Sequence, residues 1–214
     1  MRWTLIQKIP NPELEGNYRN PAVKEHLRQE GEFRCVYCAI HESKLGGVRI
    51  FHVEHYRPKS RDEFKHLEHV LSNLFYVCPI CNSFKSDTWP AEPTPTFDNA
   101  SYPDPSVTDY SVLFEVRADG EVEGLNPASR YIVSQLYFNR PQLILERRQF
   151  ALNEELENLN QNQSGLMDAL KNRGDAQSVI YITQLAEINQ QLTGLLLELQ
   201  SLPLYEPNDV RRQR

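Results

Sequence analysis

"SNLFYVCPICNSFKSD", residues 72–87, sets two cysteines three positions apart, with Asn73 ahead of the pair, Asn82 directly after it and Lys85 beyond. Two thiolates at this spacing fold around one metal ion as a tight knuckle, which supplies half of a tetrahedral site. The other half stands upstream. "CVYC" repeats the spacing, so Cys35, Cys38, Cys78 and Cys81 form two C-x2-C pairs with 39 residues between them. The set reads as an all-cysteine zinc site. Four protein thiolates fill the coordination sphere, so this zinc is expected to be structural rather than catalytic. The competing reading is a pair of disulfides, which a reducing cytosol disfavours. With so long a gap, a whole substructure must sit between the knuckles.

The gap has its own pattern. "VRIFHVEHY", 48–56, is rich in β-branched and aromatic residues and predicts a strand. Gly46-Gly47 before it is a turn signal, so the segment from Cys38 to Tyr56 predicts a hairpin. Pro58 and the charged run to Glu68 read as a loop. Residues 71–87 then predict a short helical turn, the second knuckle and a helix starting near Asn82. The expected order is strand, strand, loop, helix, with zinc stapling the ends. Inside it lies "HVEHYRPKS", 52–60, where Glu54 stands beside His55 and Arg57 and Lys59 follow.

Taken together these residues resemble an HNH endonuclease of the ββα-metal type. The resemblance rests on the pair Glu54-His55, on Asn73, and on Asn82. It also rests on an N-L-x3-C-x2-C-N-x2-K ending that Asn73 to Lys85 matches. It implies an α+β fold: a zinc-stapled ββα-metal HNH core, joined by a small β-hairpin and a C-terminal helical hairpin. It also implies roles. Phosphodiester hydrolysis needs an activated water and stabilised charge on the phosphorus. A neutral imidazole, with an ordinary pKa of about 6.5, takes a proton from water near neutral pH. By resemblance His55 is that base. Glu54 and Asn82 offer the oxygen ligands that Mg²⁺ or Mn²⁺ prefers, and Asn73 orients His55. Simpler readings stand beside these. Asn82 and Asn73 can act as helix caps, Glu54 as a surface acid, and Arg57, Lys59 and Lys85 as surface charges or as phosphate contacts.

The form "HVEHYRPKS", with residues 104–149 after it, is similar to the HNH subunits of Septu-type and retron-linked anti-phage systems. That resemblance covers roughly residues 1–150. It implies a defence nuclease with an ABC-type ATPase subunit as partner and nucleic acid as substrate. DNA is favoured, with RNA such as tRNA as the alternative. A non-catalytic zinc module that binds nucleic acid or protein is the rival from another class.

The remaining chain reads locally. "VLFEVRADGEVEGL", 112–125, alternates around Asp119-Gly120 as a hairpin. Asn126-Pro127 opens a helix, and Pro141 begins a longer one. "NRGD", 172–175, breaks the pattern, and a last helix runs to Pro203. Its Leu185, Ile188, Leu192, Leu195, Leu199 and Leu202 form a 3,4-spaced seam. The previous helix offers Leu145, Leu152, Leu156, Leu159, Leu166 and Leu170. The seams fit an internal helical hairpin or a docking surface for a partner chain. The expected division is 1–100, a zinc-binding nuclease domain with an N-terminal helix, and 101–214, a hairpin with a helical region.

Composition bounds the rest. Apolar residues are 40% and charged residues 24% of 214, ordinary for a globular protein. No apolar run is long enough to span a membrane, and the N-terminus lacks a signal-like stretch, so a cytoplasmic location is expected. The net charge of −6 argues against a free-standing binder of long nucleic acid. Residues 44–87 are the exception, at +2 with four histidines, whereas residues 88–214 carry −8.

Overall fold

The computed structural model describes residues 3–90, 96–171 and 178–202. Its contacts divide the chain into two units, Met1–Ile144 and Leu145–Arg214. Residues 101–144, expected with the C-terminal region, pack into the first unit. Trp3 stacks with Phe114 and Phe138 at 5.0 and 6.2 Å. Its indole N–H donates to the Tyr37 carbonyl beside the first knuckle, at 2.6 Å.

The first unit is α+β, as expected. Helix α1 (Pro21–Glu30) starts where the Asn20 side chain accepts from the Ala22 N–H, with Pro21 at the first position. Its Val23 and Leu27 are buried. Glu30, nearly buried, holds the extended N-terminal segment through Lys8 at 2.7 Å and the Ile9 N–H at 2.8 Å. After α1 the chain turns through Glu32 and Phe33 at positive φ into the first knuckle, which Ala39, also at positive φ, closes.

The expected hairpin between Cys38 and Tyr56 does not form. Gly46 and Gly47 do turn the chain, at φ +92 and +82. The strand, however, is only β1 (His52–His55), and its partner is β2 (Leu74–Val77). The two run antiparallel, with Glu54 opposite Phe75 and His55 opposite Leu74. The physical reason is burial: all four residues of β2 are buried apolar or aromatic side chains and form the better face for β1. Residues 71–73 make the predicted helical turn. Helix α2 (Pro79–Lys85) then starts three residues before Asn82, so Cys81 lies in its first turn. The result is strand, long loop, strand, helix.

Beyond it, β3 (Phe114–Val116) and β4 (Val122–Gly124) form the predicted hairpin, with Gly120 at φ +85 in the turn. Helix α3 (Pro127–Gln135) carries the predicted Asn126 cap, as a reciprocal capping box with Ser129. Gly124 is required by a close approach. A Cβ there would lie 2.3 Å from the Arg130 nitrogen and 2.5 Å from the Ser129 carbonyl carbon, both backbone.

The second unit holds most of α4 (Pro141–Lys171), whose first turn lies in the first unit, and α5 (Ser178–Ser201). The break at 172–175 and Pro203 lie outside the described residues. Gln163 bonds Asn189 at 2.7 Å and Arg148 pairs with Glu198 at 3.6 Å, so the helices run antiparallel as an internal hairpin. The leucine seam of α5 is half-buried, while Ile182, Leu196 and Leu197 stay exposed. No helix among the described residues is long and apolar enough to cross a membrane.

Gly124→Ala is expected to destabilise the protein by about 1–3 kcal/mol, because backbone must move to admit the methyl group. Gly165→Ala, in α4 with open space around it, is expected to stabilise its helix by roughly 0.4–1 kcal/mol. Thermal melting of the two variants checks both signs.

Candidate active site

The four cysteines converge as their spacing predicts. Their sulfur atoms all lie within 4.8 Å of one another, and all four residues are buried free thiols. Cys38 Sγ is 3.8 Å from Cys78 Sγ, and a tetrahedron with Zn–S bonds of about 2.3 Å has edges of similar length. The residues therefore fit zinc. Cys78 caps α2, its sulfur accepting from the Cys81 N–H at 3.3 Å.

Sequence reasoning missed Arg140. It is wholly buried, and Nη2 lies 3.5, 3.9 and 4.0 Å from the sulfurs of Cys38, Cys81 and Cys78. Nη1 donates to the Leu136 and Tyr137 carbonyls at the end of α3. Burial opposes its charge, and the surrounding cysteines outweigh that opposition and raise its pKa. Zinc with four thiolates carries two net negative charges, which one guanidinium half neutralises. The signal was not local, since Arg140 stands 102 residues from Cys38.

An open cleft of about 340 Å³ brings together Glu54, His55 and Asn82, with Tyr18, Lys59, Ser86 and Asp87 on its walls. β1 supplies the first two and α2 the third. His55 Nε2 lies 3.0 Å from the Glu68 backbone oxygen. A carbonyl can only accept, so Nε2 carries the hydrogen and Nδ1 holds the free lone pair. Burial lowers the His55 pKa, and the Lys59 and Lys85 charges act in the same direction. The Glu68 bond pulls the other way without reversing the fall, so the balance favours the neutral ring, in one tautomer.

Glu54 is nearly buried and paired. Lys85 Nζ lies 2.5 Å from its Oε1 and donates to the His55 carbonyl at 3.0 Å. Burial raises the Glu54 pKa, and the Lys85 charge opposes that rise. Lys85 is fully buried. The expectation that it contacts phosphate is corrected: its ammonium is spent on clamping the Glu-His pair to α2. The donor set still fits a hard divalent cation, since a carboxylate oxygen has more than one lone pair and Lys85 is bonded to Oε1 alone, while the Asn82 side chain lines the same cleft. Mg²⁺ takes one or two carboxylates and completes its shell with water or phosphate.

Asn73 is also corrected. It does not reach the His55 ring. Its Oδ1 accepts from the Arg57 N–H at 2.9 Å, and Nδ2 donates to the carbonyls of Arg57 and Leu67 at 3.1 and 3.3 Å. It pins both ends of the loop, while the Glu68 carbonyl orients the imidazole. Lys59 lines the cleft and bonds Tyr18 and Glu68. Arg57 lines a different cleft of about 480 Å³, with Tyr56, Phe97, Asp98 and Asp104.

Two outcomes follow from this geometry. In ¹⁵N NMR, His55 is expected as the Nε2–H tautomer with a pKa below 6.5, neutral to lower pH than a free histidine. Arg140→Leu is expected to release zinc to a chelator about 10–100 times faster than wild type. Arg140→Lys is expected to fall between, because an ammonium keeps the charge without the fork.

Searches of curated proteins and of solved structures found no match to this chain. A family model did match: residues 35–88 fit the one described as HNH endonuclease. The matched stretch begins at the first zinc cysteine, ends one turn after Lys85, and contains both strands, both knuckles, Glu54, His55, Asn73 and Asn82. The likeness to the HNH endonuclease family is thus confined to residues 35–88 of the 214.

Proposed function

We propose that the protein is a metal-dependent endonuclease that hydrolyses phosphodiester bonds of DNA. The observation that carries this reading is the shared cleft, in which Glu54, His55 and Asn82 meet while His55 keeps Nδ1 free. His55 Nδ1 takes the proton of the attacking water. Glu54 and the Asn82 amide oxygen would hold Mg²⁺ or Mn²⁺. When bound, the cation supplies positive charge to the phosphate oxygens and helps the departing 3′ oxygen. Asn73 keeps the loop closed behind His55, and Lys85 keeps Glu54 in place. Lys59 meets a phosphate oxygen; Arg57, in the neighbouring cleft, meets the strand further along. The products are 5′-phosphate and 3′-hydroxyl ends.

The setting we infer is cytoplasmic anti-phage defence, with an ABC-type ATPase subunit as partner. Its support is the likeness of "HVEHYRPKS" and of residues 104–149 to Septu-type and retron-linked subunits. The acidic C-terminal half also suits a nuclease whose grip on DNA or whose control comes partly from a second chain.

The test is cleavage of plasmid DNA and of total tRNA with Mg²⁺ or Mn²⁺, with and without a candidate ATPase. Wild type is expected to cut plasmid, and His55→Ala to lose at least about 10²-fold in rate, the usual worth of a general base. Cutting of tRNA alone would make the enzyme an RNase. A folded, zinc-loaded protein that cuts neither substrate would be the non-catalytic zinc module instead.

A further inference from the structure

One wall of the cleft comes from outside the matched residues. The segment Glu15–Tyr18 is laced to the loop that holds His55. Gly16 donates its N–H to the His69 carbonyl at 3.4 Å, and the Glu15 carboxylate accepts from the Leu71 N–H at 3.2 Å. Tyr18 at the end of this segment stands edge-on to the His55 ring, with centroids 4.7 Å apart, and stacks on His69 at 5.6 Å. Its side chain lines the cleft with Glu54, His55 and Asn82.

The hydroxyl has an unusual set of neighbours. Lys59 Nζ donates to it, and so does Arg19 Nε at 3.2 Å. Both are cations that can only donate. A phenol has two lone pairs and one hydrogen. Here both lone pairs are taken, so the hydrogen must look elsewhere, and the described residues supply no acceptor for it. A structural tyrosine normally donates its hydrogen to a carbonyl or carboxylate, as Tyr56, Tyr76 and Tyr110 do in this protein. Tyr18 is prepared the opposite way, as a donor waiting for an oxygen to enter the cleft.

We propose that Tyr18 is a catalytic residue whose hydroxyl delivers the proton to the 3′ oxygen that leaves the phosphorus. The proposal rests on the endonuclease reading above. The water oxygen forms its bond to phosphorus as the bond from phosphorus to the 3′ oxygen breaks. The water proton goes to His55 Nδ1, and the Tyr18 proton goes to the 3′ oxygen. The phenolate left behind sits between the Lys59 and Arg19 cations, which stabilise it until solvent returns a proton. His55 releases its proton to solvent, so the cycle closes. The same two cations draw the Tyr18 pKa below its ordinary value, the direction that makes a phenol a better acid near neutral pH.

The experiment compares Tyr18→Phe with wild type on two substrates, using full-length zinc-loaded protein with Mn²⁺. Phenylalanine keeps the ring against His55 and His69, and equal melting temperatures confirm the fold. Plasmid DNA has an alkoxide leaving group that needs a proton. Bis(4-nitrophenyl) phosphate leaves as a stable phenolate that does not. Tyr18→Phe is expected to lose about 10²-fold in kcat on DNA, the usual worth of a positioned acid, and nothing on the nitrophenyl ester. Equal losses on both substrates, or no loss on DNA, would overturn the assignment while leaving the nuclease intact. The His55→Ala control separates the two readings: if wild type shows no His55-dependent cleavage of either substrate, the endonuclease reading fails and takes this one with it.

Discussion

Four buried cysteines whose sulfurs lie within 4.8 Å of one another set the terms for residues 35–88. As thiolates they would repel one another strongly in a low-dielectric interior, so holding a metal there calls for positive charge close by. A bound zinc ion would supply two charges, and Arg140, within 3.5 Å of the Cys38 sulfur, supplies a third. The consequence reaches past the metal. Cys78 and Cys81 start α2, which carries Asn82 and Lys85 to β1. Arg140 ends the α3 segment that closes the core from the other side. One charge balance thus fixes where the helix begins and which of its residues face the strand.

The second constraint is the long connection between β1 and β2. Antiparallel strands joined by eighteen residues (56–73) lose more loop-closure entropy than a tight hairpin does. Side chains offset this loss by bonding backbone. Asn73 holds Arg57 and Leu67, and Arg61 reaches the Trp89 carbonyl. Glu15 holds Leu71. The loop so closed brings the Glu68 carbonyl to the imidazole. The tautomer of His55 is therefore a property of the loop's path rather than of any single side chain.

What the sequence disclosed follows the range of its signals. The cysteine cluster, the β3–β4 turn and the cap of α3 are legible because each is a pattern within a few residues, and the structure places them as read, whereas α2 starts at Pro79 under a Cys78 cap rather than near Asn82. The partner of β1 was misread because Gly46-Gly47 is a strong local turn signal, whereas the burial that favours β2 is a property of the assembled core. Lys85 and Arg140 were hidden for a related reason. A formal charge count treats every cation as exposed, but these two are wholly enclosed. Lys59, Arg61 and Lys65 of the same positive segment also face carboxylates. Much of the positive charge of residues 44–87 is thus already matched within the fold. Tyr18 lacked any motif, since its place beside His55 depends on the N-terminal segment crossing the loop.

The clamp between Lys85 and Glu54 bears on how such a cleft treats its cation. Burying a carboxylate alone costs far more than burying it against an ammonium, so Lys85 offsets part of the cost of burying Glu54, although burial still raises its pKa. The same ammonium repels an incoming divalent ion and occupies one of the two carboxylate oxygens. On the proposed reading, a cation on Glu54 and Asn82 would gain less from the protein than from a free carboxylate, and the phosphate of the substrate would supply the missing negative charge. Metal and nucleic acid would then reinforce each other's binding, by the reciprocity that any coupling free energy obeys. In that arrangement the cleft fills as a unit, with substrate, cation and the Tyr18 donor meeting only when a phosphate is present.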